Sequence, residues 1–183
     1  MVRIGGKSGT DAICFKFRRN LKQKCLFPTK RRKKLEKKET RIRLAGIVPM
    51  ENGFAFMHRV GVQNHPIGDY YTFPGGGKEG EETLEEGTIR EIKEEFGIDV
   101  EIVKKLYEME NGQQNKKEYF FLCKYLGGEF GTGAGPEFSG DPKYVHRGKY
   151  IPEIVSREDV QKITLLPFEI RDRFVEDIKQ GRI

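Results

Sequence analysis

The chain has 183 residues, of which 36% are hydrophobic and 34% charged. That length suffices for one domain with an appendage and is too short for two full enzymatic domains. No apolar run approaches the roughly 20 residues of a membrane-spanning helix, and residues 1–10 lack the apolar core of a secretory signal. We therefore expect a soluble, cytoplasmic protein with no membrane partner.

Charge is distributed unevenly along the chain. Residues 1–40 contain 14 Lys and Arg against 3 Asp and Glu, a net charge of +11, whereas the other 143 residues have a net charge of −5. The densest basic run, residues 30–38, is typical of a flexible, solvated tail and could also attract phosphate-rich polymers. We divide the chain into a basic N-terminal extension, 1–39, expected to be flexible or atypical, and a globular domain, 40–183.

Regular turn signals punctuate the domain from residue 41 onward. Residues 41–49 and 54–58 are apolar-rich and flank the turn 51–53, which predicts a β-hairpin. A third strand is predicted at 70–73, where Pro74 and three glycines end it. Residues 82–96 show a helix pattern, and 98–109 and 118–125 predict two strands around the polar turn 111–117.

The C-terminal part of the chain is predicted as a loop, a strand and a helix. The glycine-rich stretch 127–148 is interpreted as a loop and 150–155 as a short strand. Residues 167–180 predict an amphipathic helix whose apolar side carries Phe168, Ile170, Phe174 and Ile178.

Cysteine and histidine side chains are few and widely spaced. Cys14, Cys25 and Cys123 form no Cys-x-x-Cys pair, so we interpret them as free thiols. His58, His65 and His146 are interpreted as loop or surface residues and are left out of the predicted site. Four aromatic residues could supply a base-stacking surface, but alternation within strands favours a core position for them: Tyr71, Phe73, Tyr119 and Phe121.

One segment shows a complete spacing pattern, G-x5-E-x7-R-E-U-x-E-E-x-G-U, in which U is an aliphatic residue. Gly76 is followed after five residues by Glu82, and Glu82 after seven by Arg90 and Glu91. The remaining defined positions are also filled, by Ile92, Glu94, Glu95, Gly97 and Ile98. This segment resembles the Nudix box, and the looser resemblance extends from about residue 40 to the C-terminus. It implies an α/β protein, a Nudix-type α/β/α sandwich with a mixed β-sheet.

The helix geometry supports a metal site independently of the resemblance. Residues in a helix follow one another at about 100°, so Glu91, Glu94 and Glu95 fall within an arc of roughly 100°, while Ile89, Ile92 and Phe96 share a different side predicted to pack. Three neighbouring carboxylates repel one another unless a cation lies among them, and oxygen ligands suit Mg²⁺, with Mn²⁺ as an alternative. A solvated Glu-rich surface is the competing interpretation, but Lys93 is the one basic partner besides Arg90 within the helix.

Two neighbouring features fit the same chemistry. Arg90 can hydrogen-bond a carboxylate bidentately and fix its direction. The glycines at 75, 76 and 77 allow close backbone approach ahead of the helix, where amide groups and the helix dipole favour phosphate oxygens.

The resemblance implies Mg²⁺-dependent hydrolysis of the pyrophosphate linkage in a nucleoside diphosphate joined to another moiety, such as a nucleotide sugar, a dinucleoside polyphosphate, ADP-ribose or a nucleoside triphosphate. The metal ligands would be Glu91, Glu94 and Glu95. The catalytic residues would be Arg90, Glu94 and Glu95, with Glu137 as a loop candidate for the general base. Substrate contacts would come from Gly75, Gly76, Gly77 and Glu82.

Two other functions stay open at this stage. A Nudix-fold regulator would bind a nucleotide without cleaving it, although such a protein is expected to have lost box carboxylates that this chain keeps. An RNA-binding protein would use the basic N-terminal segment on phosphates. Family members are often dimers, so a homodimer is also open.

Overall fold

The computed structural model describes residues 40–135, 138 and 142–183. The N-terminal extension predicted at 1–39, with Cys14 and Cys25, and the loop candidate Glu137 lie outside the described residues. The strands are β1 (Arg41–Met50), β2 (Gly53–Val60), β3 (Tyr70–Thr72), β4 (Ile98–Asn111), β5 (Lys116–Gly128), β6 (Lys149–Val155) and β7 (Leu165–Leu166). The α-helices are α1 (Leu84–Phe96) and α2 (Phe168–Lys179), and 3₁₀ turns span Pro142–Arg147 and Val160–Lys162.

The seven strands form one mixed sheet. Its order is β4-β5-β1-β2-β3-β7, and β6 pairs with the other edge of β2. The predicted hairpin is present, since β1 and β2 pair antiparallel with Val48 opposite Ala55. The first seven residues of β1 pair with β5 in parallel instead, and β3 and β7 form a second parallel pair.

Alternating side chains build an apolar cluster on each face of the sheet. One cluster packs Phe174 and Ile170 of α2 onto Phe54, Phe56 and Phe73, with Phe54 and Phe174 in edge-to-face contact at 4.9 Å between ring centroids. The other packs Ile92 and Phe96 of α1 onto strand residues that include Phe121 and Cys123. Helices on both faces of a mixed sheet confirm the predicted α/β class and sandwich.

Helix α1 begins two residues later than predicted. Its N-cap is Thr83, whose hydroxyl accepts the Glu86 N–H at 3.1 Å while the Glu86 carboxylate accepts the Thr83 N–H at 2.8 Å. This capping box places Glu82 before the helix, and a Thr-x-x-Glu pattern in the sequence could have shown it. The predicted packing side is also corrected in part, because Ile92 and Phe96 are buried whereas Ile89 is 37% exposed.

The C-terminal elements depart from the prediction in small ways. Strand β5 continues to Gly128, and the predicted loop 127–148 includes the 3₁₀ turn Pro142–Arg147. Strand β7 and the turn Val160–Lys162 were not predicted. In α2, Ile170 and Phe174 are buried as expected, but Phe168, the first residue of the helix, is 44% exposed. No helix in the described ranges is both long and apolar enough to cross a bilayer.

Strand β1 pairs with β5 over its first part and with β2 over its last three residues, and this leaves an edge of β1 for the glycine-rich loop. Where β1 pairs with β5, its other edge is lined by the glycine-rich loop after β3: Leu44 N–H donates to the Gly76 carbonyl and Gly46 N–H to the Pro74 carbonyl, both at 2.9 Å. Gly75 must be glycine there, since its φ is +145° and a Cβ would lie 2.0 Å from the Leu44 carbonyl oxygen. The loop is thereby fixed against the sheet beside α1.

Candidate active site

A cleft of about 540 Å³ lies beside the glycine-rich loop and α1. This volume is within the range of small-molecule sites. All three predicted metal-ligating glutamates line it, together with Arg90 and the loop glycines. The structure therefore brings together most of the predicted site: Gly75, Gly76, Gly77, Arg90, Glu91, Glu94 and Glu95.

Arg90 is the centre of the acidic side of the cleft. Its Nε and Nη2 donate to the two Glu82 carboxylate oxygens at 3.1 and 3.0 Å, a bidentate pair. Its Nη1 donates to Glu91 at 2.9 Å and to Glu94 at 3.4 Å, and Nη2 also reaches the Gly77 carbonyl at 3.1 Å. One guanidinium thus orients three carboxylates and ties them to the loop.

The electrostatic consequence is clearest at Glu82. Hydrogen bonds from Arg90, with one from the Glu79 N–H, lower the Glu82 pKa from 4.5 to about 2. Hydrogen bonds to Glu82 and Glu91 in turn raise the pKa of Arg90. Glu82 contacts Arg90 but is not among the residues that line the cleft. We therefore interpret Glu82 as a positioning residue for Arg90.

The glycine-rich loop lies against Glu95 and also against Glu91. The Gly75 N–H donates to Glu95 Oε2 at 2.7 Å. A Cβ on Gly76 would lie 2.4 Å from Glu91 Oε2, so the absence of a side chain at this position lets the carboxylate approach the loop backbone. The N-terminus of α1 is itself capped by Thr83 and Glu86.

A second ionic group at the start of β1 and β5 also lines the cleft and was not predicted from the sequence. Arg43 Nη2 donates to the carbonyls of Phe73 and Gly75 at 3.1 and 3.2 Å, which fixes the loop. Glu118, 7% exposed, lies 2.8 Å from Lys116 Nζ and 3.6 Å from Arg43 Nη1. These residues are distant in sequence, so only strand pairing brings them together.

Of the four aromatic residues considered for base stacking, two are core residues and two are half-buried against the core. Phe73 and Phe121 are buried, and Tyr119 packs against the α1-side cluster. Tyr71 packs on the opposite side and donates its hydroxyl to Glu153 at 3.1 Å. Burial and this hydrogen bond raise the pKa of Tyr71 to about 12.

The histidine interpretation is corrected for one residue. His58 lies within β2, stacked on Tyr71 at 4.2 Å with its Nδ1 3.1 Å from Glu153 Oε2, so it is a packed strand residue and not a loop residue. His65 lies in the loop after β2, stacked on Tyr70, and His146 is exposed. Cys123 is buried and is not disulfide-bonded, and burial raises its pKa to about 12.

The donor chemistry of the acidic side suits a hard divalent cation, since it consists of carboxylate oxygens in a polar cleft. Because residue 76 is glycine, no side chain of the loop fills the space beside Glu91. Within residues 40–135, 138 and 142–183, no three His, Cys, Asp or Glu side chains are placed together as a ready-made ligand set. Glu91 and Glu94 instead contact Arg90, so they would need to rotate to share a cation.

Comparison with known proteins establishes the family. A sequence profile described as the NUDIX domain matches residues 40–158, more than half of the chain. The chain therefore belongs to the Nudix family, which confirms the resemblance noted in its sequence. A curated relative, the 8-oxo-dGTP diphosphatase of Proteus vulgaris, is 36% identical over 66 residues, which is 36% of this chain and 57% of the relative. The chain thus spans somewhat more than half the length of that relative.

Solved structures show the same fold at low sequence identity. A NUDIX hydrolase from Nitrosomonas europaea matches with a TM-score of 0.58 and 19% identity, over 78% of this chain and 72% of its own. An ADP-ribose pyrophosphatase from Streptococcus suis matches with a TM-score of 0.55 and 17% identity, over 79% and 93%. A MutT protein from Methanosarcina mazei matches with a TM-score of 0.52 and 22% identity, over 80% and 97%.

Proposed function

We propose that this Nudix protein is a Mg²⁺-dependent pyrophosphohydrolase that cleaves the pyrophosphate linkage of a nucleoside diphosphate joined to another moiety. The observation that carries the proposal is the cleft itself, in which Arg90 orients box carboxylates directly beside a glycine-rich loop. Relatives named as an 8-oxo-dGTP diphosphatase and an ADP-ribose pyrophosphatase support a nucleotide substrate.

The proposed roles of the glutamates are based on their positions in the cleft. Glu91, Glu94 and Glu95 would hold the cation, with Mn²⁺ as an alternative to Mg²⁺. A cation bound there offsets phosphate charge and lowers the pKa of a water molecule. Glu95 is held at the loop by the Gly75 N–H, and Glu91, held by Arg90, would rotate to reach the cation.

The remaining residues would position substrate and move a proton. The loop formed by the three glycines 75–77 lets pyrophosphate oxygens approach the backbone closely. A carboxylate must take the proton from the attacking water, and the candidates are the box residues Glu94 and Glu95 and the loop residue Glu137. Arg90, held between carboxylates, stays positively charged, because a guanidinium group does not lose its proton in proteins.

The test is a substrate panel assayed with and without Mg²⁺. Purified protein is incubated with dinucleoside polyphosphates, nucleotide sugars, ADP-ribose and nucleoside triphosphates, and release of nucleoside monophosphate or phosphate is followed by chromatography. We expect Mg²⁺-dependent cleavage of at least one class. Binding of a nucleotide with no cleavage in the whole panel would replace the proposal with a regulatory, nucleotide-sensing role.

A further inference from the structure

One arginine of the cleft is carried by β2 and not by the acidic helix α1. Arg59, near the end of β2, has its guanidinium carbon 3.5 Å from the Tyr150 ring centroid and 5.9 Å from that of Tyr70. Its Nη2 donates to the Arg147 carbonyl at 2.6 Å, and His65 stacks on Tyr70 at 4.3 Å. Arg59, Tyr70, Arg147 and Tyr150 all line the same cleft as the box glutamates.

The charge of Arg59 lacks a carboxylate counterpart in the described part of the chain. Three other cations of the cleft are paired with carboxylates: Arg90 with the box glutamates, and Arg43 and Lys116 with Glu118. No ion pair involves Arg59 among the described residues, and its Nε is buried without a hydrogen-bond partner there. Buried or half-buried cations are normally paired, so a preformed, unpaired arginine in a polar cleft is suited to an anionic ligand.

We propose that Arg59 binds a phosphate group of the substrate beyond the scissile pyrophosphate, so the enzyme favours nucleotides with three or more consecutive phosphates over diphosphates ending in a neutral sugar. This inference rests on the proposed hydrolase function, in which the glycine loop and the box carboxylates engage the scissile linkage. Arg59 is placed by β2, β3 and β6, whereas the box carboxylates lie on α1, so the proposal assigns to Arg59 a different group of the same substrate. The planar guanidinium, packed on Tyr150, is pre-organised for that contact.

The first test compares two substrate classes in Arg59 variants. Arg59→Gln is expected to lower kcat/KM for a nucleoside triphosphate by about tenfold to a hundredfold, the range for one lost charge-assisted hydrogen bond. The loss should be mainly in KM, and kcat/KM for ADP-ribose should change by less than about threefold, well below that range. Arg59→Lys keeps the charge without the planar fork, so an intermediate loss is expected. Equal losses on both substrate classes would overturn the assignment.

A matched control is available elsewhere on the surface. Arg157 makes contacts of the same kind, lying 4.8 Å above the Phe54 ring and donating to the Ile183 carbonyl at 2.8 Å, but it does not line this cleft. Arg157→Gln should leave the ratio of triphosphate to ADP-ribose activity unchanged. Thermal unfolding of each variant identifies loss of fold, and if Arg59→Gln does not fold, Arg59→Lys supplies the substrate comparison.

A binding measurement separates this proposal from the hydrolase proposal. Titration calorimetry with a nonhydrolysable methylene analogue of a nucleoside triphosphate requires no turnover. Weaker binding of the analogue by Arg59→Gln and unchanged binding by Arg157→Gln would support the phosphate contact even if the wild-type protein cleaved nothing. Identical binding by wild-type protein and Arg59→Gln would refute it even if hydrolysis were established.

Discussion

Replacing Gly76 with alanine tests whether close approach of the loop to Glu91 matters for activity. The added Cβ would lie 2.4 Å from Glu91 Oε2 and 2.5 Å from Oε1, whereas real Cβ contacts essentially never fall below 3.0 Å. The carboxylate must therefore move by at least about 0.6 Å, away from a position 2.9 Å from Arg90 Nη1. Gly76 is not in the left-handed region, so alanine adds no backbone strain of its own.

The expected effect on activity is large and the effect on folding small. Displacing an active-site group by about 1 Å can cost roughly a hundredfold in rate, so we expect Gly76→Ala to lower kcat about tenfold to a hundredfold. Weakening one partly buried charged hydrogen bond should cost about 1–2 kcal/mol of unfolding free energy. Mg²⁺-dependent turnover and urea unfolding measure the two quantities.

Two other glycines provide comparisons. A Cβ on Gly112, in the turn between β4 and β5, or on Gly77 meets no heavy atom within 4 Å. Gly112→Ala should keep wild-type turnover, and Gly77→Ala should lose less activity than Gly76→Ala. If Gly76→Ala turned over substrate as fast as Gly112→Ala, the placement of Glu91 against the loop would have no catalytic importance.

Three further predictions concern the box and the fold. Glu94→Gln or Glu95→Gln should reduce turnover by roughly 10²–10⁴-fold with an unchanged circular dichroism spectrum, and near-wild-type hydrolysis in both variants would contradict the site assignment. Because the Glu82 pKa is lowered from 4.5 to about 2, its charge stabilises the fold above pH 4.5, and this contribution is lost as the pH falls toward 2. Urea unfolding at pH 6 and pH 3 should therefore show a smaller pH effect in Glu82→Gln, and an equal effect would exclude this contribution. Tyr107→Phe removes a hydroxyl that donates to Asp177 of α2, which should cost about 1 kcal/mol in urea unfolding without altering turnover.

The sequence alone was sufficient for the family, the fold class and the order of most elements. The box spacing places Arg90 and its glutamates on one helix, and local periodicity is enough to establish which residues share a side of that helix. Most strand predictions agree for the same reason, since alternation and turn residues act over a few positions, whereas the two-residue strand β7 is too short to show a pattern. The helix α1 begins two residues later than its periodicity predicts because the Thr83–Glu86 capping box, also a local signal, fixes its start.

Tertiary structure alone decided what surrounds the box. Tyr70 and Tyr71 are neighbours in sequence, yet Tyr70 lines the cleft while Tyr71 packs with His58 on the other side of β3. Alternation shows that two such residues face opposite ways without showing which face is the cleft. Arg59 lines the same cleft as the box glutamates because β2 pairs with β3 and with the distant strand β6. This pairing depends on strand register and burial over the whole domain, which no local pattern encodes.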